Sequence, residues 1–559
     1  MTFNVITWIP EVYLLITLLG LLCYGINPGA SAFEERLAVP LGLVTPKSPK
    51  LCEELAFAQT PMQPQKLENT YTGPLKMDLE QTSALEHSAA SGPGHASALL
   101  GAWALPWCLL AFLLVSQCPL HTLMAGGVFL RDGYSIQMES LLWIFATAVL
   151  AMSLSWQTPA GIVSPEFVSL TLLALLGQHL LISATDLMAM YVCLELQSFA
   201  IVVLCSMDYR SAYSLEAGIK YFLLSAFSSC LLLLGIGLIY WETGLTQCHH
   251  LVELLRTTSG EPSAGLWLGI WLVSMGLLWK LSAAPLHLWV ADVYMGAVSC
   301  VTLFLSTLPK IALLGFWVHT WHPLWQSTFG SGLAVFSALS LMVGALAPMA
   351  QTHLKRLLAL SSVGHMGFLL MPLSAGHEAF AALWTYLAIY LVTNLAMWGL
   401  LMWPFGRPGQ SFAGPQYIWD FSALNQTSPA AATAWTGALL SLAGLPPVAG
   451  FLGKLGLFWW ALNSHLYSLV GIALVATLLS TVYYLRVLKV AYVENPENWG
   501  SYGEIPPVSA YLVALSWGFL VVLLWHGAPL VLFSHWLALA SSVFHPFNEI
   551  RRCFMRRPL

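Results

Sequence analysis

The sequence predicts an all-α polytopic membrane protein of about fourteen transmembrane helices, with two inverted five-helix repeats that each contain one broken helix. Three observations predict it. Of 559 residues, 58% are hydrophobic and only 8% charged, against about 25% charged in a soluble domain. Windows of 18 or more apolar residues, each enough to cross a bilayer core, recur along the chain, mostly with short connections. Two of these windows hold both a lysine and a helix-breaking proline: Lys280 with Pro285, and Pro446-Pro447 with Lys454.

The windows lie near 9–26, 97–117, 136–156, 166–184, 187–207, 217–240, 264–288, 297–319, 330–350, 357–374, 379–403, 431–462, 466–489 and 508–532. The run 9–26 has no basic residue before it, the first being Arg36, so it reads as a retained membrane helix without a cleaved leader. Residues 27–95 carry 13 of the chain's 47 charged side chains among Pro, Ser and Gly, and read as a polar excursion outside the bilayer. Windows two and three fall within 96–165. The repeats are expected at 166–319 (windows four to eight) and 320–490 (nine to thirteen), and 491–559 holds the last window and a basic tail with Arg551, Arg552, Arg556 and Arg557.

Basic residues in short loops predict the topology. Loops after odd-numbered windows hold Arg210, Lys355, Arg356, Arg407, Arg486 and Lys489, whereas those after even-numbered ones hold Arg131 and Arg256. Met1 should therefore lie on the side opposite the matrix or cytoplasm. The tail arginines fit that topology only if residues 531–545 re-enter the membrane.

A net charge of -5 and the absence of a basic block exclude nucleic acid as a partner. Ten cysteines stand as singletons, without metal or cluster spacing. His249 and His250, like His319 and His322, lie at helix ends, where solvated or interfacial histidines are expected rather than ligands. Gly235-Ile236-Gly237 lacks the third glycine of a dinucleotide fingerprint.

Ionisable residues inside spans are costly and mark polar paths. Glu195 stands in the fifth window, a buried carboxylate needing a cation. Lys280, after fourteen uncharged residues, is its expected partner, with Lys310 in the next window. Burial disfavours a charged lysine and a near carboxylate favours it, so a Glu195–Lys280 pair whose separation changes would take up and release a proton. Glu216 and Lys220 share a helix face at i,i+4, either as a local ion pair or as part of the same path. In the twelfth window proline precedes lysine, the reverse of the seventh, as inverted halves around a midplane site require. His365 stands between the two half-sites as a relay or a hydrogen-bonded core residue, and His179 beside Gln178 is a weaker candidate.

The motifs LEAGIKYFLLSAFSS (215–229), WKLSAAPLHLWVADVYMGAVSCVTLFLSTLPK (279–310), KRLLALSSVGHMGF (355–368) and AGLPPVAGFLGK (443–454) occur in the order in which they resemble the antiporter-like membrane subunits of respiratory complex I. The resemblance runs from about Met124 to Val490, and the first window, with Pro10-Glu11, looks related. It implies fourteen helices in two inverted repeats, and gives Glu195, Lys280, Lys310 and Lys454 the positions of that family's proposed proton path. Trp279 stands where Phe is usual, Val290 and Cys300 where Pro is, and Met295 where Glu is common. The 27–95 insertion exceeds the family's usual first connection.

The resemblance further implies partner subunits of the membrane arm, lipids such as cardiolipin, and protons as the species moved. No cofactor is expected in this chain; FMN, iron–sulfur clusters and quinone belong in partner subunits. The expected location is the mitochondrial inner membrane, or alternatively a bacterial plasma membrane. An independent cation/proton antiporter is the alternative function, although LHLWVADVYMG departs from the Trp-Leu-Pro-x-Ala-His pattern typical of that sister type.

Overall fold

The computed structural model describes residues 9–26, 94–120, 122–160, 165–257, 263–406, 414–422, 424–494, 501–503 and 505–542. Of the excursion expected at 27–95, residues 27–93 lie outside the described residues and the last two open a helix; Arg407 and the tail arginines also lie outside them. Within them the apolar windows are built of helix, with the two lysine–proline windows interrupted. The chain runs through α1 (Ile9–Ile26), α2 (Gly94–Ser116), a hairpin of β1 (Thr122–Met124) and β2 (Phe129–Arg131), α3 (Gly133–Ala160), α4 (Pro165–Ser183), α5 (Leu187–Cys205), α6 (Ala212–Thr243) and the short α7 (Cys248–Thr257). It continues through α8 (Ala264–Lys280), α9 (Leu288–Gly296), α10 (Ser299–Phe316), α11 (His322–Phe329), α12 (Leu333–Leu346), α13 (Leu354–Ala375) and α14 (Phe380–Leu401). A ribbon pairs β3 (Phe405–Gly406) with β4 (Ser501–Tyr502), and between them lie α15 (Leu424–Thr427), α16 (Pro429–Ala443), α17 (Gly450–Asn463) and α18 (Tyr467–Tyr492). The last helices are α19 (Pro507–Trp525) and α20 (Ala528–Ser542).

Among the described residues nine helical runs are long and apolar enough to cross a membrane, and four further apolar helices, α8 and α20 among them, are shorter. The centre of the bundle is α13 and α14, buried over 89% of their apolar windows, against 33% for α6 and α18. Lipid tails are as apolar as leucine, so helices associate through close packing of small residues. Where α12 crosses α13, a methyl added at Gly344 would collide with the backbone of Gly364, so the two helices meet main chain to main chain.

Both lysine–proline windows are broken. Pro285 and Pro447 cannot donate a helical hydrogen bond, and each follows a cis peptide bond. The first break separates α8 from α9, and the second separates α16 from α17. Freed backbone groups inside a membrane need partners. At the first break the Trp289 indole donates to Trp279 O at 3.0 Å, and Ala284 N donates to Ser340 Oγ at 2.9 Å. At the second, Gly444 (φ 78°) ends α16 in the left-handed region.

Two expectations are corrected by the fold. Arg131 is no loop cation: the β1–β2 hairpin folds inward and buries it completely. His319 and His322 are not solvated but 2% and 1% exposed, because the helix from α10 continues through a wide turn, Trp317–Trp321, into α11 beneath the packed bundle. His322 Nε2 lies 3.0 Å from Leu373 O. His249 and His250 are exposed on α7. Residues 528–542, in the region expected to re-enter, form α20; at about 1.5 Å per residue its fifteen residues are too short to span a hydrocarbon core of about 30 Å.

Candidate functional site

Glu195 lies in the middle of α5 and Lys280 is the last residue of α8, so the break delivers a lysine to the carboxylate. Lys280 Nζ stands 3.3 Å from Glu195 Oε1, with side-chain exposures of 5% and 15%. Ser198, one turn along α5, points its hydroxyl at Glu195 Oε2. The pair expected from the sequence is thus formed, and it sits where the chain has just left helical geometry.

Lys310, on α10 one residue after Pro309, is 4% exposed and donates to Tyr390 Oη on α14 at 2.6 Å. Its ammonium also lies 4.7 Å from the centre of the Tyr390 ring. His365 on α13 follows: Nδ1 is 2.7 Å from Tyr386 Oη, Nε2 is 3.2 Å from Tyr484 Oη, and the ring is 5.2 Å from that of Tyr390. A small cavity, lined in part by Tyr294, Ser306, Ser361, Ser362, Tyr390 and Asn394, opens on one side of His365. A second, lined by Ser361, Ser480, Tyr483, Tyr484 and Lys454, opens on the other. Through Tyr294, the first cavity also borders α9, the second half of the first broken helix.

Lys454 differs from its counterpart. Its ammonium donates to Leu442 O at 3.0 Å and Ala443 O at 2.7 Å, the last carbonyls of α16, where a helix end favours a cation. Among the described residues no carboxylate pairs with it, whereas Lys280 has Glu195. A methyl on Gly444 would collide with the Lys454 side chain, so the glycine both turns the chain and leaves the lysine its passage.

Glu216 and Lys220 do pair, at 2.6 Å, but as part of a larger, half-exposed group. Lys220 Nζ also reaches Asp292 Oδ2 on α9 at 2.8 Å, and Arg356 Nη2 lies 3.8 Å from Asp292 Oδ1. Asp292 was not singled out by the sequence; its only signal is a carboxylate beside the break, in the short helix LWVADVYMG. Tyr386, Tyr390 and Tyr484 were also missed, because tyrosine in a span reads as filler or an interfacial anchor. Among the described residues no group of three or more His, Cys, Asp or Glu could hold a metal ion.

Residues 184–480 match the family described as NADH:quinone oxidoreductase/Mrp antiporter, TM. The chain belongs to this family. Glu195, Lys280, Lys310, His365, Tyr386, Tyr390 and Lys454 lie inside the matched residues, and Tyr484 lies just beyond them. The NADH-ubiquinone oxidoreductase chain 2 of Marchantia polymorpha is 34% identical over 418 residues, covering 73% of this chain and 83% of that protein. NADH-quinone oxidoreductase subunit N 1 of Rhizobium meliloti is 38% identical over 381 residues, 67% of this chain and 78% of that one. A chain of respiratory complex I from Thermus thermophilus, solved with bound aureothin, superposes with a TM-score of 0.66 at 28% identity, over 80% of this chain and 97% of that one. A chain of the Mrp complex from Dietzia sp. shares the fold at the same TM-score and 20% identity, over 84% of this chain and 96% of its own. Within the family, this is an antiporter-like subunit of the chain 2 and subunit N type.

Proposed function

We propose that this chain is a proton-translocating membrane-arm subunit of a respiratory NADH:ubiquinone oxidoreductase. The observation that carries the reading is a row of buried donors and acceptors between the two broken helices: Lys310 with Tyr390, His365 with Tyr386 and Tyr484, and two cavities beside His365, one bordering α9 through Tyr294 and the other α17 through Lys454. Hydroxyls and imidazole both donate and accept, so a proton can step along them without a charged group leaving its helix. The Thermus complex I chain and the chain 2 and subunit N relatives support the assignment to a redox-driven assembly.

In this mechanism Lys280 takes a proton while Glu195 is near and gives it up when the pair separates. The proton enters the Lys310–Tyr390–His365 chain and reaches Lys454, whose ammonium is held by the α16 carbonyls until it is released. The two broken segments act as counterparts in inverted repeats at 166–319 and 320–490. Moving each charge against the membrane potential takes about 2.3 kcal/mol per 100 mV. That energy comes from redox chemistry in partner subunits, which are proposed to hold FMN, iron–sulfur clusters and the quinone. The half-exposed Glu216–Lys220–Asp292 group fits a mouth of the path. The proposed location is the mitochondrial inner membrane, with other membrane-arm subunits and lipids such as cardiolipin as neighbours.

Purification of the native complex tests this reading. The chain is expected to co-purify with flavin- and iron–sulfur-containing subunits, in an assembly that acidifies or alkalinises sealed vesicles on addition of NADH. Isolation without such subunits, with proton movement driven by a sodium or potassium gradient alone, would instead establish an independent antiporter.

A further inference from the structure

A second set of buried charges lies before the family-matched residues, at the membrane face where α1 begins. Glu11 of α1, Arg131 at the end of β2, Glu139 of α3 and His179 of α4 meet there, with relative exposures of 3% for Glu11 and 0% for the rest. Arg131 Nη2 is 2.5 Å from Glu11 Oε1, 3.1 Å from His179 Nε2 and 3.6 Å from Glu139 Oε2. His179 Nε2 is 3.4 Å from Glu11 Oε1, and Nδ1 is 3.8 Å from Glu139 Oε2. The hairpin that carries Arg131 is clipped to the end of α4 by Thr185, whose hydroxyl donates to Gly127 O and whose N–H donates to Val128 O.

The charges do not balance. Two carboxylates face one guanidinium, so with a neutral imidazole the buried group carries one net negative charge, a costly state away from water. One proton restores neutrality. Both Glu139 oxygens and His179 Nδ1 are buried and without a hydrogen-bond partner among the described residues, as are Glu11 Oε2 and both amide atoms of the neighbouring Gln178, but Glu11 keeps the Arg131 hydrogen bond on Oε1 whereas Glu139 has none. The carboxylate with no hydrogen bond on either oxygen, Glu139, with His179 Nδ1 beside it, thus marks where that proton binds.

Also facing this cluster are Cys118, whose sulfur lies 3.1 Å from Arg131 Nη1, and the Trp143 ring, 6.1 Å from that of His179. The next residue, Asp132, leads inward: its Oδ2 is 3.5 Å from His319 Nε2. Tyr134 stacks on His319 at 5.0 Å and donates to Gly315 O, five residues beyond Lys310 on the same chain segment.

We propose that Glu139 and His179 share a one-proton binding site that serves the path at this face, beside the segment that carries Lys310. The proposal rests on the proton-translocating reading above. In the assembled complex, Glu139→Gln removes the uncompensated charge and is expected to lower the protons translocated per NADH oxidised to the level of Lys280→Ala, with NADH oxidation retained in uncoupled membranes. His179→Gln leaves both carboxylates and Arg131 in place and carries the same test independently. Translocation falls under the proposal and is unchanged if the cluster is only a clamp on α1, however well Glu139→Gln assembles. Wild-type translocation in the cluster variants, with translocation lost in Lys280→Ala, overturns the site. Wild-type translocation in Lys280→Ala as well overturns the reading of function on which it rests.

Discussion

Lys280→Ala is expected to abolish NADH-driven proton translocation in the assembled complex while leaving assembly close to that of the unchanged protein. Lys280 is the cation delivered by the first helix break to Glu195, and Ala places no titratable group there. Assembly should survive because Glu195 is 15% exposed along its side chain and keeps the Ser198 hydroxyl, so the carboxylate left behind is not sealed from water. The backbone of the break is held by Trp289 and Ser340 rather than by the lysine. A pH-sensitive dye in sealed proteoliposomes reads the effect. Normal pumping in this variant would remove Lys280 from the path.

Arg131→Leu has the opposite signature, a failure of assembly rather than of coupling. It leaves Glu11 and Glu139 buried together with only His179 to offset them, and removing one partner of a buried ion pair typically costs about 3–5 kcal/mol. The expected result is a marked fall in assembled complex on native gels and earlier thermal dissociation of what remains. Glu11→Gln in the same chain, which deletes one of the stranded charges, is expected to restore most of the loss. Arg131→Leu with unchanged assembly and thermal behaviour would show that the hairpin, not the charge, holds α1.

The fold was legible because apolar windows long enough for a bilayer have few other uses, and because a proline beside a lysine in such a window has two separate costs. Glu195 with Lys280, and Lys454 after Pro446-Pro447, could be found on that ground. The groups that join them could not. Tyr390 is 80 residues from Lys310, and Tyr484 is 119 from His365; nothing in the local pattern of α14 or α18 distinguishes these tyrosines from those facing lipid. Arg131 was misread for a related reason. It stands in a polar connection, and only the hairpin's pairing with the end of α4 turns it inward onto Glu11, 120 residues away. His319 and His322 sit at what sequence marks as a helix end, but the helix continues and the bundle closes over them.

The most direct measurement is the number of protons translocated per NADH oxidised by the assembled complex when Lys280, Lys310 and Lys454 are all replaced by Met. These substitutions keep long, flexible side chains and remove every lysine of the buried axis. Loss of translocation, as in Lys280→Ala, with NADH oxidation retained in uncoupled membranes, is the result expected of a chain that carries protons itself. An unchanged ratio would contradict it and leave the chain a structural subunit of the membrane arm.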